Sequence, residues 1–245
     1  MRELSLFTGA GGGLLGTKLL GWEPIGYVEW NEYCQQVIAA RIRDGYLPIA
    51  PIFTDVREFV QSGAAEQYRG IADVVSAGFP CQPFSVAGEQ LAENDERNMW
   101  PATKAILRAV RPAHALLENV TALLTSGYFG VILSDLAEMG FVGRWGCIPA
   151  SSCGAPHERD RLWIVAHANE VMGKARPRAI EQHGQAALQQ GDGGIVPFNR
   201  CGSWVEMATE FRRMDDGVAS AVERTEAAGN GQVPAVVRRA WECLA

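Results

Sequence analysis

Short apolar runs alternate with amphipathic stretches through the first two thirds of the chain. The runs Leu4–Phe7, Ile25–Glu29, Ile52–Thr54, Asp73–Ala77, His114–Glu118, Phe141–Pro149 and Leu162–His167 predict strands. Between them lie helical patterns around Leu14–Leu20, Asn31–Arg41, Asn98–Val110 and Tyr128–Met139. Strands separated by helices predict βαβ units around a parallel sheet. Near His167 the texture changes. Residues 168–200 are rich in Gly, Gln, Ala and Arg, with little periodicity and a turn signal at Asp192-Gly193-Gly194, so they read as an irregular insert. A helical pattern returns from Val233 to Leu244, with Pro234 suited to its first turn.

Composition narrows the class. A chain of 245 residues with 47% hydrophobic and 20% charged residues suits one sizeable α/β domain with at most a small appendage. It excludes collagenous, mucin-like and wholly disordered chains. No stretch approaches the ~18 consecutive apolar residues of a membrane span. The opening MRELSLFTGAGG lacks the basic start and apolar run of a signal peptide, so a cytoplasmic location away from membranes is the expectation. A net charge of −6 argues against coating nucleic acid by bulk attraction, yet it leaves room for a local basic cleft. The six cysteines form no CxxC pair, so neither a metal site nor a disulfide framework is expected. A monomer is the default expectation.

Four segments carry candidate chemistry. In Leu4–Gly16, LSLFTGAGGGLLG, a strand runs through a glycine-rich turn into a helix, and Glu29 ends the next strand. Glycines allow close backbone approach, helix N-termini favour negative charge, and an acid about 20 residues on can accept from ribose hydroxyls. Gly11, Gly13 and Gly16 also satisfy G-x-G-x-x-G, so this loop by itself fits a dinucleotide, another nucleotide-like cofactor or a purely structural turn. In GFPCQPFSVAG, Gly78–Gly88, Cys81 stands between two prolines just past a strand end, where open α/β sheets gather ligands. A thiol there is a nucleophile if its thiolate is stabilised. Buried, inert thiols are the commoner fate, and Cys34 and Cys243 suit that reading better. Glu118 ends the apolar strand of LLENV, where partial desolvation can raise a carboxyl pKa and let it donate a proton; a solvated junction acid is the plain alternative. In HERDRLWIVA, Arg159 and Arg161 alternate and are expected on one face of a strand, either beside an anion or as ordinary surface arginines.

Taken in order, these motifs resemble the DNA cytosine-5 methyltransferase family. FTGAGG at Phe7–Gly12, Glu29, Asp55, PCQPFS at Pro80–Ser85, ENV at Glu118–Val120, HERDR at His157–Arg161 and GNGQVP at Gly229–Pro234 follow the family's pattern across nearly the whole chain. His157 stands where the family usually has Gln. The resemblance implies an α/β, Rossmann-like, S-adenosylmethionine (AdoMet)-dependent methyltransferase fold, a mostly parallel twisted sheet flanked by helices. Residues 1–167 and 229–245 would form its AdoMet-binding catalytic domain, and residues 168–228 a small, irregular target-recognition region.

The resemblance further implies an enzyme that methylates cytosine C5 in double-stranded DNA. Cys81 would add to C6 of a flipped-out base, Glu118 would hydrogen-bond N3 and the exocyclic amine, and Arg159, with Arg161 beside it, would hold the base carbonyl. For AdoMet, Phe7, Gly9, Gly11 and Gly12 would line the methionine end. Glu29 would take the ribose hydroxyls, Trp30 would stack on adenine, and Asp55 with the Val56 backbone would bind its edge. Pro80 and Asn230 would complete that site, without a metal. Gln82 would fill the space left by the base, and Ser85 and Arg97 would touch phosphates. The dinucleotide reading explains neither Cys81 nor Glu118.

The span between HERDR and GNGQVP is short for a base-reading domain. Within residues 170–215 six basic side chains are offset by six acidic ones, so no strong phosphate patch is expected. Methylation of cytosine in tRNA, or a catalytically weak DNA- and AdoMet-binding family member, are therefore the alternatives. Restriction–modification, phage and stand-alone regulatory roles all remain open.

Overall fold

The computed structural model describes residues 1–80, 97–169, 227 and 230–245. Seven strands form one sheet: β1 (Arg2–Leu6), β2 (Glu23–Val28), β3 (Ile52–Phe53), β4 (Val74–Ala77), β5 (His114–Val120), β6 (Phe141–Ile148) and β7 (Arg161–Ala168). Their order is β3-β2-β1-β4-β5-β7-β6. The α-helices that lie wholly within the described residues are α1 (Gly12–Leu19), α2 (Glu32–Arg43), α3 (Val56–Gln61), α4 (Trp100–Val110), α5 (Tyr128–Glu138) and α6 (Pro234–Leu244).

The first five strands pair in parallel, and β7 runs antiparallel to both β5 and β6. The sheet is thus mostly parallel, as the alternating pattern predicts. Residues 149–160, which join β6 to β7, contain only a 3₁₀ turn at Ala150–Cys153 and no crossover helix. Without a crossover the chain can only fold back, so β7 enters reversed between β5 and β6.

Alternation along the strands builds two apolar layers. Leu4, Leu6, Val75, Ala77, Leu117, Leu162 and Ile164 point into the larger cluster, closed by Trp100, Ile106 and Phe129. Val74, Leu116, Trp163 and Val165 face the other way, under Val236, Val237 and Ala240 of α6. Helix α6 also lies against α1. A Cβ on Gly16 would stand 2.4 Å from Val237 Cβ and 2.7 Å from the Pro234 carbonyl oxygen, so only glycine allows that approach. The last glycine of G-x-G-x-x-G therefore serves helix packing.

Chain order reverses between β1 and β4: β2 and β3 lie on one side, β5 to β7 on the other. Such a switch point opens a crevice at the strands' C-terminal ends. Gly11, with φ 91°, caps α1 in the left-handed region that costs glycine nothing, and turns the chain across this crevice.

Three local expectations change. Helix α3 was not foreseen; Asp55 starts it by accepting a hydrogen bond from the Arg57 N–H on Oδ1 (2.6 Å). Arg159 does not share a strand face with Arg161, because β7 begins at Arg161 and Arg159 has a φ of 39°. Cys34 is buried as expected, but Cys243 is exposed because it falls on the outer side of α6. The division drawn at residues 168–228 lies almost wholly outside the described residues.

Candidate active site

The crevice gathers residues from four segments. Antiparallel pairing sets Glu118 opposite Trp163 and Val120 opposite Arg161, which makes Arg161 the diagonal neighbour of Glu118 on one sheet face. Arg161 Nε donates to Glu118 Oε1 at 3.0 Å. On the other oxygen, Gln232 Nε2 donates to Glu118 Oε2 at 3.4 Å. Burial pushes the Glu118 carboxyl above its ordinary pKa, opposed by Arg161, then Gln232 and Arg159. The site thus holds a carboxyl whose protonated form is favoured by desolvation and whose anion is held by defined donors.

Arg159 reaches a different partner: its Nη2 donates to the Gly231 carbonyl at 2.8 Å. Burial and then the charge of Arg161 lower its pKa, while Glu118 raises it. Of the two arginines, Arg161 is the one paired with Glu118, and Arg159 ties the HERDR segment to the GNGQVP segment.

The chain leaves β4 through Gly78-Phe79-Pro80. Asn119 Nδ2 donates to the Phe79 carbonyl (2.9 Å), and the Phe79 ring packs on Trp100 at 5.3 Å between centroids. The Pro80 carbonyl accepts from the Met99 N–H at 3.3 Å, so the segment leaves and returns at one point. Cys81, Gln82 and Ser85 lie outside the described residues. In sequence Cys81 directly follows Pro80, the last described residue of that segment. Arg97 is described and exposed, at the returning end.

A cleft of about 250 Å³ opens next to this point, lined by Phe7, Val28, Trp30, Thr54, Asp55, Val56, Arg57, Pro80 and Met99. Trp30 is 75% exposed, so its indole presents a bare flat face, unusual for so large an apolar ring. Phe7 takes a φ of 52°, which turns the chain sharply at the end of β1. Glu29 is buried at the tip of β2. Its Oε2 accepts from the Gly9 N–H (2.6 Å) and its Oε1 from the Asn31 N–H (2.8 Å). Each carboxylate oxygen can still accept another donor. Gly12 lies against Gln232. A smaller gap of about 40 Å³ continues from Gly9 past Ser76 and Gly78 to Glu118, with Asn230 and Gln232 on its wall.

The crevice therefore brings Phe7, Gly9, Glu29, Trp30, Asp55, Val56, Pro80, Glu118, Arg161 and Asn230 to one edge. Sequence reasoning missed Gln232, although it stands inside the GNGQVP segment. A second amide side chain two residues after Asn230 is the available signal.

Among solved structures, the chain resembles Spodoptera frugiperda DNMT2, with a TM-score of 0.55 and 22% identity over 75% of this chain and 55% of that one. It also resembles a putative DNA modification methyltransferase from a prophage of E. coli, with a TM-score of 0.54 and 21% identity over 74% of this chain and 52% of that one. The shared fold is the Rossmann-like fold of AdoMet-dependent methyltransferases. In sequence it is 33% identical to the type II methyltransferase M.NgoMIV of Neisseria gonorrhoeae over 69% of this chain and 52% of that protein. It is 32% identical to M.HaeII of Haemophilus aegyptius over 81% of this chain and 60% of that protein. The chain thus spans about half the length of the curated relatives it matches. Residues 1–198 match the profile of the C-5 cytosine-specific DNA methylases, and the chain belongs to that family.

Proposed function

We propose that the chain transfers a methyl group from AdoMet to C5 of cytosine in double-stranded DNA. The observation that carries the reading is the largely buried Glu118 carboxyl, gripped by Arg161, at the strand end near the anchored Pro80 that precedes Cys81 in sequence. Membership of a family described as C-5 cytosine-specific DNA methylases supports the substrate.

The described residues fit AdoMet. The bare indole of Trp30 suits an adenine ring, and the Asp55 carboxylate keeps an oxygen beyond the one capping α3. Glu29 holds the Gly9 turn while retaining acceptor capacity for ribose hydroxyls. Phe7, Gly9, Gly11 and Gly12 would flank the methionine end, Val56 and Pro80 the adenine side, and Asn230 the closing edge. When bound, AdoMet supplies an electrophilic methyl group.

Cytosine C5 is a poor nucleophile, and the protein's task is to make it a better one. The target base leaves the duplex at a cost of about a few kcal/mol. Gln82 occupies the space it vacates, and Ser85 and Arg97 contact phosphates. The Cys81 thiolate forms a bond to C6, and the displaced electron pair moves through the ring toward N3. Glu118 gives N3 its proton and accepts from the exocyclic amine, so charge does not build on the base. Arg161 holds Glu118 in place, and Arg159 is the candidate partner of the base carbonyl. After C5 is methylated, loss of its proton to solvent water and expulsion of the Cys81 thiolate restore the aromatic ring, and the proton on N3 returns to the Glu118 carboxylate.

The test is transfer of labelled methyl from AdoMet to mixed-sequence duplex DNA and, separately, to tRNA. Cys81-dependent label in the duplex is the expected result, absent in Cys81→Ala. Label in tRNA alone moves the substrate to RNA and keeps the mechanism. No label in either, from folded protein that binds AdoMet, overturns the activity for this chain alone.

A further inference from the structure

Gln232 stands where three motif segments meet. Its backbone oxygen is 2.4 Å from where a Cβ on Gly12 would be, and its side-chain Oε1 is 2.5 Å from that position on Gly13. Its Nε2 lies 2.8 Å from a Cβ position on Gly78 and donates to Glu118 Oε2. The preceding carbonyl, at Gly231, is held by Arg159. One side chain therefore touches the glycine-rich turn, the segment leading to Cys81 and the carboxyl at the strand end. All three contacting glycines lack the Cβ that would push it away.

We infer that Gln232 is a positioning residue that couples the glycine-rich turn to Glu118, so that a ligand held at Gly9–Gly13 changes the hydrogen bonding of the Glu118 carboxyl. The coupling rests on the methyl-transfer reading only for the identity of that ligand. Its physical basis is short and contiguous. Gly12 and Gly13 open α1, so a shift of that turn moves the atoms under Gln232 directly. On its other side Gln232 Nε2 borders Gly78. Among the described residues, the groups that face Glu118 are Arg161 from β7, Arg159 from the segment before it, and Gln232 from the segment before α6. Of these, Gln232 is the one that also contacts the glycine turn, and a donor at Oε2 favours the anion. When the turn closes on a ligand and draws Gln232 away, the carboxyl retains its proton to a higher pH.

The experiment follows the Glu118 carboxyl directly, by ¹³C NMR titration of the full chain labelled at glutamate, with Glu118→Gln assigning the resonance. Gln232→Met keeps an unbranched side chain in the gap and removes the amide; Gln232→Leu, also uncharged, is the second variant should the first fold poorly. Without ligand, the Glu118 midpoint rises by about half a pH unit in Gln232→Met, the shift expected of one ordinary hydrogen bond. With AdoMet, the wild-type midpoint moves up and the Gln232→Met midpoint does not. By reciprocity, AdoMet affinity in the wild type changes about 3-fold across the titration, and the change is lost in the variant. An unchanged midpoint in the unliganded variant overturns the inference, as does an equal AdoMet-induced shift in both proteins. A chain that fails to bind AdoMet overturns the proposed function instead, and the unliganded titration still decides whether Gln232 holds Glu118.

Discussion

A Cβ built on Gly78 would stand 2.9 Å from Glu118 Oε2. The glycine that opens the segment toward Cys81 is thus also the floor on which the acidic side chain rests. The other nearby atom, Gln232 Nε2, is likewise the end of a flexible side chain. A methyl group here displaces both ends without disturbing backbone. Gly78→Ala should therefore melt close to the wild-type temperature and lose activity on the order of 10²-fold, the cost of misplacing a catalytic group by about an ångström. Thermal unfolding and methyl transfer measured on one preparation check this. A large fall in melting temperature would show that the clash is borne by the fold instead.

The ion pair between Arg161 and Glu118 predicts a pH-dependent defect. Burial raises the Glu118 pKa and Arg161 opposes it, so Arg161→Ala raises it further. A carboxyl whose folded pKa lies above its unfolded value contributes stability below the unfolded pKa and loses it as pH rises through the folded one. Arg161→Ala should thus cost less at pH 4, below the ordinary glutamate pKa, than at pH 8, where it should cost about 2 kcal/mol, a figure reduced for the partial exposure of the arginine. Denaturant titration at both pH values tests it. Adding Glu118→Gln should recover part of the loss at pH 8.

Glu3 is a buried acid that takes no part in the proposed chemistry. It lies under α1, accepting from Thr17 Oγ1 and Ser76 Oγ, each at 2.5 Å. Burial raises its pKa from 4.5 to about 7, against those two hydrogen bonds. Between these values the native state holds a proton that the unfolded chain releases, so stability falls as pH rises, by up to about 1.4 kcal/mol per unit. His114 and His167, whose Nδ1 atoms lie 2.8 Å apart, are shifted down by burial and work the opposite way: their contribution is present above the unfolded histidine pKa and fades as pH falls. The informative quantity is therefore the difference between wild type and Glu3→Gln. That difference should grow in favour of the glutamine variant from pH 5 to pH 8, and a flat difference contradicts the assignment.

Trp30 should report on the cofactor cleft. Its exposed indole lines the cleft, whereas Trp22, Trp100, Trp145 and Trp163 are buried. AdoMet should quench a fluorescence component that is absent in Trp30→Ala. The substitution should weaken binding about 10-fold, in keeping with the worth of one stacked base. Quenching retained in full by Trp30→Ala would place the ligand elsewhere.

Much of this architecture was legible beforehand. The strands near Leu4, Asp73 and His114 are buried on both faces and flanked by turn residues, so their runs are unambiguous. Helix α3 escaped because a six-residue helix leaves too little periodicity to see, and the Asp55 cap that starts it doubles as a motif residue. Arg159 was misjudged because residue spacing reports a strand face only once a strand has begun. Its partner, the Gly231 carbonyl, lies 72 residues away.

The sequence by itself determined the order of chemistry: a glycine-rich turn, an acid, a P-C-Q segment, an E-N-V strand end and paired arginines. Local pattern and motif spacing are properties of neighbouring residues, so they survive without coordinates. Tertiary structure alone decided which groups meet. It reversed β7 between β5 and β6, which set Arg161 rather than Arg159 against Glu118. It also carried Gln232 from the far end of the chain onto Gly12, Gly13 and Gly78. Those pairings depend on sheet register and on the docking of α6, contacts between distant segments that no local pattern encodes.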